Sequence, residues 1–301
     1  MTPRYAVVVG VNKAGTSSLF VSLSTHPEIS PSAVKETRYF LPVRYGRPLD
    51  PPQVWERSFA AAPGLPVRLE ATPSLFYGGA DVATCMRDRL QDLHAIVVLR
   101  EPVARAISFF NYQKLRLRIP SDMTMAEYLG VADRLGPNQF RDPSNEKYMA
   151  FRGGCYADFL PGWLDTLGTP RLHLIDFATL VDDPSRVLRD LAVDLGIDPD
   201  AFPGALASEN RTVGYRHAGL QRLALFGNDR LDRVFRRHPA WEVRLRRIYY
   251  RFNGTPQDTT VSDEVRADLA WRYAAPNARL AEQLAAAGLP QPAWLTPPRS
   301  S

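Results

Sequence analysis

The chain has 301 residues, 45% of them hydrophobic, enough for one large α/β domain or two small ones with a real core. No apolar stretch approaches membrane-span length, two cysteines cannot build a disulfide framework or a thiolate metal site, and residues 1–5 are too short to form a signal peptide, so the expectation is a cytoplasmic globular protein. The net charge of +5 favours an anionic ligand without naming one.

In chain order, the apolar run at residues 6–9 predicts a buried strand. Gly10, Gly15, Thr16, Ser17 and Ser18 predict a tight turn into a helix over residues 17–24. Lys13, one of only four lysines, sits in that turn. Backbone N–H groups at a helix N-terminus point at an anion, glycines let the backbone approach it, and a lysine adds a compact charge. The segment therefore reads as a phosphate cradle. Its order differs from the nucleotide-triphosphatase P-loop, where the lysine follows the second glycine directly; here Thr16 holds that place. The plainer alternative is a strand-to-helix turn with a surface lysine.

A second short strand is predicted to reach residues 32–34, before a turn at Lys35 and Glu36. Residues 41–66, rich in proline and aromatics, read as a surface excursion. A strand at 67–71, a helix at 80–91 and a strand at 95–99 follow. Such alternation predicts a parallel sheet covered on both faces. Glu101-Pro102 opens a helix to about residue 117, bearing Arg105 and Ser108. Residues 118–145 read as a substrate-facing connection with a short helix at 125–129. A helical segment at 156–167, a strand at 171–177 and an amphipathic helix at 184–195 come next. Residues 216–251 hold ten arginines against Asp229, Asp232 and Glu242, with Leu220, Leu223, Leu231, Val234 and Phe235 at helical spacing, and a last helix spans 262–287. No internal repeat or long linker divides the chain, which predicts one domain.

Three further signals gain meaning beside Lys13. Ligands of open parallel sheets bind at the carboxyl ends of the strands, so Glu36 and Lys13 are expected to face one cleft, where a glutamate can act as a general base. The alternative is a surface salt bridge to Lys35 or Arg38. Arg100 ends a buried strand at the same sheet edge, with Ser108 about two turns into the next helix, and both are placed to grip a second phosphate. Arg105 reads as a solvated helix-face charge. Residues 210–217, with Arg211, Arg216 and His217, read either as an arginine loop over the ligand or as a solvated linker.

At this point the chain resembles a known family, the sulfotransferases that use 3′-phosphoadenosine 5′-phosphosulfate (PAPS). Lys13-Ala14-Gly15-Thr16-Ser17-Ser18 is similar to their 5′-phosphosulfate loop, and the spacing of Arg100 and Ser108 resembles their 3′-phosphate element. Lys35-Glu36-Thr37-Arg38-Tyr39-Phe40, Glu70-Ala71-Thr72-Pro73 and Gly154-Cys155-Tyr156-Ala157-Asp158 resemble segments of the glycosaminoglycan-type branch. Arg38 stands where that branch usually has histidine and Ala71 where it has lysine, which points away from heparan-like polymers and toward a small or medium-sized acceptor.

The resemblance implies an α/β fold: a P-loop-like parallel sheet flanked by helices on both faces, with a helical C-terminal part. It also implies a core at 1–200, a cofactor-covering loop at 201–217 and helices over 218–295. Lys13, Ala14, Gly15, Thr16, Ser17, Ser18, Arg100, Ser108, Arg211 and Arg216 would hold PAPS or its product, adenosine 3′,5′-bisphosphate. Glu36 and Lys13 would be catalytic. The implied reaction is transfer of a sulfuryl group to a hydroxyl, less favourably an amine, of a small-molecule, natural-product or carbohydrate acceptor, with no metal, nucleic acid or membrane span. Two alternatives stay open from the residues alone: a P-loop nucleotide kinase or triphosphatase with Asp176 as its metal residue, and a non-catalytic anion or nucleic-acid binder built on the arginines of 216–251.

Overall fold

Strand β1 (Arg4–Gly10), buried at every position after Arg4, is the middle of a parallel sheet in the order β2-β3-β1-β4-β5. The molecule is a computed structural model describing residues 3–203, 213–215, 254–256 and 261–295. The other strands are β2 (Ile29–Pro31), β3 (Val67–Ala71), β4 (Leu93–Leu99) and β5 (Leu172–Asp176). All seven residues of β4 are buried, which a strand achieves only when both faces of its sheet are covered. The covering helices include α1 (Thr16–Leu23), α4 (Gly79–Arg89), α5 (Pro102–Leu115), α7 (Leu160–Leu167), α8 (Phe177–Asp182) and α9 (Pro184–Asp194). Shorter helices α2 (Leu41–Arg44), α3 (Pro52–Arg57) and α6 (Met125–Asp133) fill the connections.

The order of the strands creates the site. From β1 the chain goes out to the edge at β2 and returns to β3 beside β1, then crosses to β4 and β5 on the other side. The topological switch therefore lies beside β1, where loops leaving β1 and β4 diverge and open a crevice. Those loops carry Lys13 and Arg100. Val11 N–H donates to Val98 O (3.1 Å), which keeps the loop after β1 against the end of β4.

Several expected elements shift. The second strand ends at Pro31 rather than at residue 34; Ser32 N–H still donates to Leu69 O, but Ala33 N–H turns away to Ser58 O. Residues 41–66 are no mere surface excursion. Trp55 from α3 is 3% exposed and packs against Tyr39, Phe40 and Phe59, with ring centroids 5.1–5.5 Å apart. The segment expected to be helical over 156–167 starts as a short 3₁₀ turn, Tyr156–Asp158, before α7. The last helix runs Asp263–Ala286, with Ser262 Oγ accepting from Val265 N–H at its start. Val213–Tyr215 and Gly254–Pro256 pair as antiparallel strands. The loop residues Arg211, Arg216 and His217, and most of the arginine-rich segment, lie outside the described residues. No helix among the described residues is long and apolar enough to cross a membrane.

Candidate active site

The loop after β1 is a cradle because its backbone bends twice into left-handed conformations. Lys13 has φ 72° and Gly15 φ 76°. Glycine accepts that geometry freely, whereas lysine holds it at a cost of order 1–3 kcal/mol, tolerated where surrounding structure over-determines the turn. Gly15 also gives room: a β-carbon there would come within 3.0 Å of the Phe177 ring. Gly15 is the N-cap of α1 and offers no side chain to the helix's first N–H groups, and the first turn, Thr16 to Ser18, lines the crevice. Ala14 is fully buried.

The crevice has a volume of about 560 Å³ and is lined by Lys13, Gly15, Thr16, Ser17, Ser18, Glu36, Arg100 and Ser108. Thus all the sequence-predicted site residues within the described part line one cleft except Ala14, whose side chain packs beneath it. Arg100 Nη1 donates to Lys13 O at 2.8 Å, and its guanidinium lies 4.6 Å from the Phe177 ring centroid. Ser108, on the α5 face toward the cleft, has Tyr112 one turn later on the same face. The Lys13 ammonium rests 4.5 Å from the Tyr112 ring centroid. Burial, then the positive charges of Arg100 and Lys35, bring the Lys13 pKa down to about 8.

Glu36 enters from the end of β3's neighbouring turn. Its N–H donates to Ala71 O (2.9 Å), and both it and Arg38 have positive φ, 64° and 58°. The turn is held from behind by Glu70, a buried carboxylate whose Oε1 accepts from Thr37 N–H (3.0 Å), Thr37 Oγ1 (3.1 Å) and Thr72 Oγ1 (2.6 Å). Arg38 N–H donates to Thr72 Oγ1 at 3.2 Å. Glu36 itself pairs with Lys35 Nζ at 3.0 Å and with Arg38 at 3.4 Å. Burial raises its pKa, but those two cations outweigh burial and hold the carboxyl below the ordinary range. The salt-bridge reading and the cleft reading of Glu36 are therefore both true of its geometry.

Sequence reasoning missed Gln113, Arg118 and Glu146, which also line the cleft. Helical spacing from Ser108 marks Tyr112, while Glu146 arrives through a 3₁₀ turn (Pro143–Tyr148), held by Arg44 at 3.1 Å, with no local signal. Arg105 was misread: it is fully buried rather than solvated, because Tyr77, the carbonyls of Met149 and Ala150, and the last helix close over it. Among the aromatic side chains, Phe109, Tyr112 and Phe177 line the cleft. Tyr39, Phe40, Trp55, Phe76 and Tyr77 are core residues. Asp176, the metal residue of the kinase alternative, accepts from Ala178 N–H at the start of α8.

No family model matches the chain. It is 26% identical over 196 residues to the human heparan sulfate glucosamine 3-O-sulfotransferase 5, a match covering 64% of this chain and 54% of that protein. It is 25% identical over 215 residues to the bifunctional heparan sulfate N-deacetylase/N-sulfotransferase of Drosophila melanogaster, covering 65% of this chain and 20% of that protein. The chain thus spans between a fifth and about half of the length of these curated relatives. Its fold is similar to the crystal structure of a sulfotransferase from Alicyclobacillus acidocaldarius, with TM-score 0.59, 25% identity, and coverage of 78% of this chain and 95% of that one. By sequence and by fold, the chain is similar to sulfotransferases.

Proposed function

We propose that this protein transfers a sulfuryl group from PAPS to a hydroxyl of a small-molecule or carbohydrate acceptor. The observation that carries the reading is the meeting of Lys13, Arg100, Ser108 and Glu36 in one cleft at the sheet's switch point. A volume of about 560 Å³ lies within the range of nucleotide-sized sites, roughly 300–1,000 Å³. The donor set suits an anion with two phosphate ends: the α1 N-terminus and Lys13 on one side, Arg100 and Ser108 on the other.

PAPS supplies the sulfuryl group: a bond forms between the acceptor oxygen and sulfur as the bond from sulfur to the bridging oxygen breaks, leaving its electron pair on adenosine 3′,5′-bisphosphate. Glu36 takes the acceptor's proton, a contribution of about 10²–10⁴-fold for a positioned base. Lys13 and the cradle N–H groups stabilise charge growing on the bridging oxygen. These roles need no metal. Arg211 and Arg216 are proposed to cover the bound cofactor from the 201–217 loop, and a cytoplasmic location goes with this reading. The heparan sulfate acceptors named for the relatives are a second possibility for substrate, favoured by the cationic Lys35, Arg38 and Arg118 along the cleft.

Mass spectrometry of carbohydrate and phenolic or alcoholic acceptors incubated with PAPS and enzyme tests the reading. A product heavier by one sulfuryl group is expected, and consumption of ATP instead of PAPS in a phosphoryl transfer would refute it.

A further inference from the structure

The segment around Gly153-Gly154-Cys155-Tyr156 takes no part in lining the cleft, yet it encloses a buried cation. Arg105, on α5 between Arg100 and Ser108, is fully buried. Its Nη1 reaches Tyr77 Oη at 3.5 Å, and its Nη2 donates to Met149 O (3.3 Å) and to Ala150 O. Tyr273 of the last helix donates to Phe151 O (2.8 Å) beside it. The surroundings are shaped for this group. A β-carbon on Gly153 would stand 3.1 Å from the guanidinium, and one on Gly154 would stand 2.6 Å from Tyr273 Oη.

Burying a guanidinium is costly unless its donors are met; here the two Nη atoms meet neutral oxygens while Nε has no hydrogen-bond partner, so the charge is partly solvated and not cancelled. Two of the neighbouring tyrosines reach the cleft from below. Tyr77 Oη lies near the backbone of Asn12, in the loop that carries Lys13. Tyr156 Oη donates to Arg100 O at 2.7 Å. Both tyrosines, with Tyr273, feel the charge of Arg105.

We propose that Arg105 is a positioning residue for cofactor binding: it orders Tyr77 and Tyr156, which fix the Asn12–Lys13 turn at the 5′ end of the site and Arg100 at the 3′ end. This rests on the PAPS reading of the cleft. It makes Arg105 the point where the two phosphate-gripping loops and the last helix are tied together.

Calorimetric binding of adenosine 3′,5′-bisphosphate and of adenosine 5′-monophosphate, beside thermal unfolding, tests it. Tyr156→Phe removes a single hydroxyl and is expected to weaken the bisphosphate about 3- to 10-fold while leaving the monophosphate unchanged, so the ratio of affinities falls. Tyr77→Phe is expected to weaken both ligands alike. Arg105→Lys keeps the charge but not the planar fork and is expected to show both effects; where it does not fold, the tyrosine variants decide. In an Arg100→Ala background, Tyr156→Phe should have no further effect on the ratio. Tyrosine variants with lowered melting temperature but wild-type affinities for both nucleotides would make the cluster purely structural and overturn the proposal. Failure of the wild-type protein to bind the bisphosphate at all would instead overturn the PAPS reading itself.

Discussion

Arg100 donates from its guanidinium to the backbone carbonyl of Lys13 at 2.8 Å, so the two loops that flank the switch point are joined by a direct hydrogen bond across 87 residues of sequence. That bond uses one nitrogen of the fork and leaves other donors toward the cleft. Arg100→Ala should weaken adenosine 3′,5′-bisphosphate by roughly 10- to 100-fold, the ~1.5–3 kcal/mol of a hydrogen bond to a charged group. Calorimetry reads this directly, and an unchanged dissociation constant removes Arg100 from the 3′-phosphate role.

Lys13, with a pKa brought down to about 8, changes charge near neutral pH in the ligand-free protein. The protonated form binds an anion better, so affinity is full below about pH 8 and falls as pH rises through it. Affinity for the bisphosphate measured from pH 7 to 9.5 should decline, and Lys13→Ala should lower turnover by orders of magnitude and flatten that decline. Wild-type turnover in the alanine variant would contradict the assignment.

Glu36 and Glu70 are two carboxylates with opposite surroundings, and a matched pair of amide substitutions separates them. Glu36 faces the cleft and its cationic neighbours hold its carboxyl below the ordinary range, so its base form persists on acidification past the point where an ordinary glutamate protonates, and Glu36→Gln should cut kcat by about 10²–10⁴-fold with little change in bisphosphate affinity. Glu70 is buried, with burial pushing its carboxyl upward, and it accepts from Thr37 and Thr72. An amide oxygen can accept the same bonds, so Glu70→Gln should keep near-normal turnover. The reverse pattern would move the base to Glu70.

Chelation provides a test of class. Sulfuryl transfer neutralised by Lys13 should survive EDTA, whereas a kinase needs magnesium between its phosphates. A strict magnesium requirement would favour the nucleotide kinase alternative.

The parts of this molecule that could be read from sequence are those whose signal is local. The apolar run of β1, the glycine turn and the helix after it announce themselves within a dozen residues, and the same is true of β4, Arg100 and the proline that opens α5. Because strand ends share one edge, these fragments sufficed to expect Lys13, Glu36, Arg100 and Ser108 in one cleft. What sequence hid depends on distant partners. Arg105 has a helix-face position that suits solvent, and distant partners bury it: Tyr77, the 149–150 backbone and Tyr273, 168 residues further on. Trp55 lies in a proline-rich stretch, and its burial comes from rings on either side of it rather than from a period in its own segment. The left-handed turns at Lys13, Glu36 and Arg38 leave no mark in composition, since none of the three is glycine.

The most direct measurement is a competitive binding titration of adenosine 3′,5′-bisphosphate, ATP with magnesium, and an oligonucleotide against the wild-type protein. Binding of the bisphosphate at least about tenfold more tightly than either rival, a difference of ~1.4 kcal/mol, is the expected result. Tighter binding of magnesium–ATP or of the oligonucleotide, or no binding of the bisphosphate, would contradict the account.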